Sequence, residues 1–507
     1  MRMVRPVPWA TVLAAVASLV VLTTGPLARV RTWWDYEDPL ATDATVVVIN
    51  AAVGLVAFAW LVSQERFRLL DQRALGVAAG LVGWLLLGSL WSVDRLETFR
   101  QALQIASALT IGAAIAAALG GVWFRWALWA ALHVGLGWSV IAIYLGHRGT
   151  IDRNDDWAGI FFNRNSLALY AALALLVAVF IAADARTVAS MPKRWSIVVV
   201  LAGFGIVDVR LIAGSDALTP SVALGVALGA VVLCWAGNRL VRRDVDADRL
   251  AALVGGLALA VAAVAWATRR TWLDDLGRRS DLTGRLDLWN VALDWGWRRP
   301  LHGYGYMAAW DDPSFQSEVQ AARGALVGSA HNSFVDIFLG AGLIGLALAL
   351  GLIAALYWRT APQALRRVTV ATVFPVALLV FVVVEDLTET LLIGNHLAVA
   401  LLGSLLWPRA EPVSAIVPAE EAVVPGGERS GVLGGTPELW RMSARRLTHA
   451  VEQRPVADQS FHRAGERGVV SEWHDQPIHA VVDHFGRTEA VARDHRQTGG
   501  ERLSRGE

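Results

Sequence analysis

A histidine beside helix-capping residues is the sequence feature best suited to acid–base chemistry. His331 lies in SAHNSFVDIFLGAGLIGL, directly before a long apolar run. A histidine at such a boundary is partly in water and can take up a proton near neutral pH. A structural role is the alternative, because Asn332 and Ser333 are residue types that begin helices. Position alone leaves both roles open.

Several arginines near the ends of apolar runs could together bind a multiply charged anion. Arg285 begins RLDLW, Arg164 lies in GIFFNRNSLALY, Arg100 begins an apolar run, and Arg210 lies within FGIVDVRLIAG. Guanidinium groups bind phosphate oxygens bidentately, so arginines at one depth would suit a diphosphate. Arg210 is the most unusual, because an ionisable group inside an apolar helix is costly and commonly marks a function. Separate arginines that each extend to the membrane surface are the alternative.

Acidic residues could orient these cations. Glu385, Asp386 and Glu389 cluster at the end of one apolar run, where they could position the arginines or the histidine, or cap a solvated turn. Asp208 precedes Arg210 by two residues. Residues at that spacing do not share a helical face, so no simple intrahelical ion pair is expected.

The elements that must position these residues are membrane-length helices. The chain has 507 residues, of which 55% are hydrophobic and 18% charged, and its mean hydropathy is +0.46. Soluble domains carry about 25% charged residues. We therefore predict an all-α polytopic integral membrane protein. About twelve apolar runs are long enough to span the hydrocarbon core, and they cover residues 8–28, 44–63, 74–92, 99–120, 124–145, 165–183, 195–213, 218–237, 249–267, 332–358, 368–385 and 391–407.

The distribution of arginine predicts the orientation. If the N-terminus is cytoplasmic, the inner connections collect most of the basic residues, including Arg66, Lys193, Arg242 and Arg366, and the short outer connections collect few. Basic residues accumulate in cytoplasmic loops, so both termini are predicted to be cytoplasmic. The large loop 268–331, between the ninth and tenth spans, is then extracytoplasmic.

A short amphipathic helix is predicted within this loop. The segment LDLWNVALDWGW places Leu286, Trp289 and Leu293 on one side, as expected for a helix lying along the membrane surface. Arg285 would stand at its N-terminal end. An arginine there is commonly a lipid headgroup anchor, so a role in phosphate binding needs further support.

The composition changes sharply after residue 407. We predict two parts: a membrane domain, 1–407, and a disordered cytoplasmic tail, 408–507. The histidines of the tail are too widely spaced for a metal cluster. Cys234 is the only cysteine, and Gly303-Tyr304-Gly305 lacks the third glycine of a dinucleotide-binding motif. The net charge of +1 is uninformative in itself, because charge is segregated by location and not pooled on one nucleic-acid-binding face, and no nucleic-acid partner is expected.

Together these motifs resemble the O-antigen ligase-like family of membrane glycosyltransferases, which includes O-antigen ligases, exopolysaccharide polymerases and some protein O-oligosaccharyltransferases. The resemblance covers roughly 40–407 and rests on GRLDLW followed by RRPLHGYGY, on AHNSFVDIFLGAGLIGL, on GIFFNRNSLA and on the late outer loop. It implies a GT-C-type enzyme of the cell membrane. Such an enzyme moves a glycan from undecaprenyl diphosphate to a hydroxyl of a glycan or lipid acceptor outside the cytoplasmic membrane. It is surrounded by membrane lipids and requires no metal and no cofactor.

The resemblance also implies roles for individual residues. His331 becomes the candidate base that deprotonates the acceptor hydroxyl. Arg285 and Arg164 become candidates for binding the donor diphosphate, with Arg210 and Arg100 as further candidates. These assignments suit the chemistry, because a diphosphate is already a good leaving group and the reaction needs mainly charge stabilisation and one proton acceptor.

Three supporting residues are expected beside them: Asn332, Glu385 and Asp216. Asp216 is a departure from the family pattern, because many relatives have a Ser-Arg-Thr-like element where this chain has Gly214-Ser215-Asp216-Ala217. An anion thus stands where a cation is expected. Compensation by Arg210, altered donor recognition and loss of activity are all open.

Two alternatives to a glycosyltransferase remain. One is a polysaccharide or lipid transporter, although transporters tend to show repeated halves and helices broken near the membrane midplane. Here the polar groups concentrate at the outer ends and in a single loop, which favours the enzyme. A catalytically inactive homologue is the other, because of Asp216. Ligase and polymerase differ mainly in their acceptor, which the sequence does not identify.

Overall fold

The computed structural model describes a large part of the predicted membrane domain. The described residues are 7–23, 44–147, 149–152, 155–161, 163–188, 191–268, 285–324, 326–391 and 397–407. All of them belong to the unit Met1–Pro418. The predicted tail, 408–507, and the first part of the predicted outer loop, 269–284, lie outside the described residues.

This part of the chain is helical, as predicted. The described ranges contain no strand, and Ile151 and Trp157 form an isolated antiparallel bridge. The helices are α1 Trp9–Leu22, α2 Ala44–Ser63, α3 Gln72–Gly88, α4 Arg95–Tyr144, α5 Arg164–Val188, α6 Met191–Ser215, α7 Leu218–Val241, α8 Ala247–Ala267, α9 Arg285–Arg298, α10 Pro313–Arg323, α11 Ser333–Arg366, α12 Val370–Asp386 and α13 Leu397–Ser404.

Six of the described helices are long and apolar enough to cross a membrane: α4, α5, α6, α7, α8 and α11. Helices α1, α2 and α3 are also apolar, but their apolar segments are only 10–17 residues long. These helices are consistent with a polytopic membrane protein. The number of about twelve spans and the side on which loop 268–331 lies stay predictions.

Helix α4 consists of two helical segments. Gly120 interrupts it with φ 66° and ψ 177°, which is not a helical conformation. A positive φ strains residues that carry a Cβ, so glycine is favoured at this position. The apolar runs predicted at 99–120 and 124–145 are therefore separate segments that meet at this glycine.

Helix α11 is broken in the same way, at Gly342, with φ 68° and ψ −168°. The sequence predicts a single span over 332–358, and the structure corrects this to a short buried segment followed by a long one. The break is stabilised by the chain after α9: the Leu343 amide donates to the Pro300 carbonyl at 2.7 Å. A Cβ on Gly342 would collide with the Leu301 backbone, so this close contact requires glycine.

Burial separates central helices from peripheral ones. Between 50% and 72% of the most apolar window is buried in α4, α5 and α11, against 17% to 22% in α6, α7 and α8. Helix α13 packs on α4 through small residues, because a Cβ on Gly112 or Gly403 would collide with the opposite backbone. Helices α6, α7 and α8 therefore have the burial expected of lipid-facing helices.

Candidate active site

The Glu389 side chain contacts residues from three widely separated parts of the chain. It lies three residues after the end of α12, and its side chain is 11% exposed. Its Oε1 accepts hydrogen bonds from Arg285 Nη2 at 2.7 Å and from Asn165 Nδ2 at 2.6 Å. Its Oε2 lies 3.4 Å from His331 Nδ1. We call Asn165, Arg285, His331 and Glu389 the Glu389 cluster.

Helix capping near the histidine is performed by its neighbour. The Asn332 side chain accepts hydrogen bonds from the Phe334 and Val335 amides, at 3.0 Å and 3.2 Å. Its amide nitrogen Nδ2 also donates to the Leu387 carbonyl at 2.9 Å. His331 has a left-handed backbone with φ 49°, which is uncommon for a residue other than glycine. Its side chain is 30% exposed and is not used to cap α11.

Arg285 is the first residue of α9 and is held by groups of the protein. Besides Glu389, it donates from Nη1 to the Thr388 carbonyl at 2.5 Å, and its side chain is 17% exposed. Two adjacent groups of one turn thus hold one guanidinium. The simple role of a lipid headgroup anchor does not describe these contacts.

The amphipathic helix itself is confirmed, with its buried face rotated from the prediction. Leu288, Trp289 and Ala292 are buried, whereas Leu286 and Leu293 are only half-buried. Trp289 donates from Nε1 to the Ala330 carbonyl at 2.7 Å, directly beside the candidate base. The helix therefore packs against the segment that carries His331.

The motif GIFFNRNSLA brings two adjacent polar residues to the start of α5. Arg164 forms an ion pair with Asp156, and Asn165 reaches Glu389. The Asn165 backbone amide donates to the side-chain oxygen Oδ1 of Asn163 at 2.8 Å. The asparagine was not among the predicted site residues, although it stands next to a predicted arginine.

Arg210 and Asp208 face different partners, as predicted from their spacing. The Arg210 guanidinium lies 5.0 Å from the centre of the Trp157 ring and is exposed. Asp208 is buried, with Oδ1 3.3 Å from His133 Nε2 on α4. Trp157 also donates its backbone amide to the Gly214 carbonyl at 2.8 Å, which joins this segment to the end of α6.

Asp216 lies in the turn between α6 and α7, with φ 47°. The next helix is linked to the Glu389 cluster, because Thr388 Oγ1 donates to Thr219 Oγ1 at 2.9 Å. Asp216, the predicted departure from the family pattern, is thus at the same end of the helix bundle as Arg285 and His331.

Arg100 belongs to a second group of charges. It pairs with Glu97 in the first turn of α4, which Asp94 caps by accepting a hydrogen bond from the Glu97 amide at 2.9 Å. Burial raises the pKa of Asp311, the negative charge of Asp94 raises it further, and Arg100 partly opposes both effects. Carboxyl groups therefore outnumber the guanidinium in this group.

The acidic residues near Glu389 differ in the number of hydrogen bonds that their carboxyl groups accept. Asp336 is buried and accepts hydrogen bonds from Trp310 Nε1 and the Ala330 amide at 2.9 Å and from Thr390 Oγ1 at 2.6 Å. Glu385 is 0% exposed, and neither of its carboxyl oxygens has a hydrogen-bond partner among the described residues. An isolated carboxylate in such a place is very costly, so an uncharged form is favoured.

Glu389 has the opposite balance. Burial by itself would raise the pKa of its carboxyl group, but the hydrogen bond with His331 and the positive charge of Arg285 hold the pKa below its ordinary value. The carboxylate is therefore ionised at neutral pH. The sequence placed Glu389 in an acidic cluster, but only the structure shows which member of that cluster contacts both the arginine and the histidine.

Helical spans with a charged cluster at one end define the class: a polytopic membrane protein with a polar site where several helices begin. Residues 157–350 match the O-antigen ligase family. The chain is also similar to the exopolysaccharide production protein ExoQ of Rhizobium meliloti (strain 1021), with 26% identity over 301 residues that cover 56% of this chain and 67% of that protein.

The resemblance predicted from the sequence is thereby confirmed, because both comparisons support an O-antigen ligase-like family. The matched range includes Arg164, Arg285 and His331 but ends before Glu389. Both findings support a membrane enzyme of cell-surface polysaccharide biosynthesis.

Proposed function

We propose that the protein is a membrane glycosyltransferase that transfers or polymerises a glycan carried on undecaprenyl diphosphate. The acceptor is a hydroxyl group of a glycan or lipid at the outer face of the cytoplasmic membrane. One observation carries the proposal: an arginine from α9, a histidine from the start of α11 and an asparagine from α5 converge on one ionised carboxylate. These residues come from the same motifs that carry the family resemblance.

The reaction assigns a role to each end of the cluster. The acceptor oxygen forms a bond to the anomeric carbon of the donor sugar, and the bond from that carbon to the diphosphate oxygen breaks. His331 takes the proton of the acceptor hydroxyl. The electron pair leaves with the lipid diphosphate, whose charge Arg285 and Arg164 stabilise.

The remaining candidates take secondary positions in this proposal. Arg210, exposed above Trp157, is available to a phosphate that approaches the end of α6. Arg100 is paired with Glu97 and contributes less. Asn332 fixes the backbone beside the base, and the effect of Asp216 on donor binding is the open question for this chain.

A transporter is the second candidate function, and the broken helix α11 is the observation that favours it. Discontinuous helices line the substrate sites of many transporters. The break at Gly342, however, is satisfied by backbone hydrogen bonds to the segment after α9. Glycan transfer by protein in detergent, where no membrane separates two compartments, would occur for the enzyme and not for the transporter.

The test is transfer by purified protein from an undecaprenyl-diphosphate-linked glycan. Wild type is expected to give product, and His331→Ala is expected to lose it while inserting normally in the membrane. Robust transfer by wild type with unchanged turnover in His331→Ala would remove the base assignment. No transfer by wild type with any tested acceptor, together with glycan movement across vesicles, would favour the transporter.

The orientation is tested separately. A cysteine at Ser317, which is exposed on α10, can be labelled in a Cys234→Ser background. Labelling by a membrane-impermeant reagent added to intact cells is expected. Protection from that reagent would overturn the extracytoplasmic placement of the loop.

A further inference from the structure

The two carboxylate oxygens of Glu389 have different partners. Oε1 accepts from Arg285 and Asn165 at 2.7 Å and 2.6 Å, whereas Oε2 has His331 at 3.4 Å. Ordinary hydrogen bonds to oxygen measure about 2.7–3.2 Å. The hydrogen bond between the carboxylate and the histidine is thus longer and weaker than those with the arginine and the asparagine.

The carboxylate and the histidine belong to one backbone unit. The Asn332 amide donates to Thr390 Oγ1 at 3.1 Å, and the Asn332 side chain donates to the Leu387 carbonyl at 2.9 Å. The Thr390 hydroxyl donates in turn to Asp336 at 2.6 Å. The turn 387–390 and the start of α11 are therefore joined on both sides of Glu389. Arg285 is outside this unit, at the beginning of α9.

A diphosphate would compete for the guanidinium of Arg285. Phosphate oxygens accept bidentate hydrogen bonds from arginine and carry more charge than one carboxylate. A buried carboxylate that loses this partner needs another cation. His331 Nδ1 already faces Glu389, which leaves Nε2 of the same ring to receive the acceptor proton.

We propose that Glu389 is a positioning residue that couples donor binding to acceptor deprotonation, by passing from Arg285 to His331 when the donor diphosphate engages the arginine. This inference rests on the proposed function. The base then gains its full counter-ion only when a donor is in place. The acceptor hydroxyl is consequently activated beside a donor sugar and not in its absence.

Other charged groups around the cluster bear on its pH dependence. They are Arg164 at the start of α5, Asp336 on α11, and Glu385 and Asp386 at the end of α12. Arg164 pairs with Asp156, and Asp386 accepts a hydrogen bond from Ser333. Glu385 is one helical turn before Glu389, and its carbonyl accepts the Glu389 amide at 2.9 Å. The matched control is Glu318 on α10, which pairs with Arg298 at the other end of α9, is 45% exposed and is not part of the Glu389 cluster.

The experiment compares Glu389→Gln with Glu318→Gln in the transfer assay. For Glu389→Gln we expect kcat to fall roughly 10-fold or more, within the range that general-base catalysis contributes, while the donor KM does not rise. The acidic limb of the kcat profile should move to lower pH, because an anionic neighbour of the base is lost. Glu318→Gln should change neither kcat nor the limb.

A second variant gives the opposite shift and does not depend on the folding of Glu389→Gln. Arg285→Ala removes the competing cation from the donor-free enzyme, so the acidic limb of its kcat/KM profile should move to higher pH while the donor KM rises. Glu389→Asp, which keeps the charge, should retain part of the wild-type limb. The coupling would be overturned if the acidic limb stayed at its wild-type pH in both Glu389→Gln and Arg285→Ala. It would also be overturned if a higher donor KM were the sole effect of Glu389→Gln.

Failure of the proposed function has a different signature. It would appear as absent transfer in wild type or as full transfer in His331→Ala. If only the coupling is wrong, the wild type still transfers glycan and His331 is still essential, but the acidic limbs of the variants do not move. The two failures are therefore distinguishable.

Discussion

The two ends of the helix bundle use arginine in different ways. At the end opposite the Glu389 cluster, which we call the arginine-rich end, four guanidinium groups contact carboxylates or backbone carbonyls. Arg125 pairs with Asp184, Arg366 pairs with Asp248, Arg359 contacts Asp71 and the Leu405 carbonyl, and Arg66 donates to the Ala117 carbonyl.

At the Glu389 cluster, one carboxylate contacts an arginine, an asparagine and a histidine from three parts of the chain. The arginine-rich end is the one predicted to be cytoplasmic, where basic residues anchor a membrane protein. The number of arginines therefore does not identify a site. Convergence of different chemical groups on one side chain does.

The largest effect should come from the arginine-rich end and should concern stability alone. Arg125 is 2% exposed, and its partner Asp184 is on α5. Removal of one member of a buried pair costs about 3–5 kcal/mol. Arg125→Met should lower the thermal midpoint in detergent strongly and leave the donor KM unchanged. The double variant Arg125→Met/Asp184→Leu should recover part of the loss. A raised donor KM in the single variant would break the distinction between the two ends.

The next effect concerns donor binding at the Glu389 cluster. Arg285→Ala should raise the donor KM on the order of 10-fold to 100-fold, because charge-assisted hydrogen bonds contribute about 1.5–3 kcal/mol. Arg285→Lys keeps the charge but loses the bidentate geometry, so it should recover only part. Equal donor KM values for wild type and Arg285→Ala would exclude the arginine from the phosphate site.

Acid should act on the cluster through Glu389. The pKa of this carboxyl group is below its ordinary value of 4.5, so its ionised form stabilises the folded protein above that pH. This stabilisation is lost as the pH falls below 4.5 through the lowered pKa. The thermal midpoint of wild type should therefore fall there more steeply than that of Glu389→Gln. Parallel curves for the two proteins would contradict the ionised state of Glu389.

The turn that contains Asp216 should have a smaller effect. Asp216→Arg introduces the sign of charge that the family resemblance predicts here and should lower the donor KM by no more than about fivefold, because an exposed charge contributes under about 1 kcal/mol. Asp216→Ala separates the loss of the anion from the gain of a cation. A higher donor KM in Asp216→Arg would show that this chain recognises its donor differently.

The smallest effect should come from the exposed pair at the arginine-rich end. The Arg366 side chain is 52% exposed and that of Asp248 is 57% exposed. Exposed ion pairs contribute about 0–1 kcal/mol. Arg366→Ala should therefore leave the thermal midpoint and kcat close to wild type. A loss comparable to that of Arg125→Met would mean that burial does not separate the two pairs.

Much of the fold was predictable because hydropathy and capping act over short distances in the chain. The helices α5, α7 and α11 begin within a few residues of the predicted runs. The break at Gly342 was missed, because it depends on the backbone of residues 300–305, which lies about 40 residues earlier in the chain. Nothing in the apolar run itself distinguishes a broken helix from a continuous one.

For the site, the sequence by itself determined the residue types and the family resemblance: a histidine beside Asn332, and arginines at helix ends. Only the tertiary structure decided that Arg285 and His331 share Glu389, that Arg100 joins a different group of charges, and that Asp208 and Arg210 face different partners. The physical reason is range. A helix cap or an apolar run is set by neighbours along the chain, whereas a shared carboxylate requires helices from distant parts of the chain to pack together at one end of the bundle.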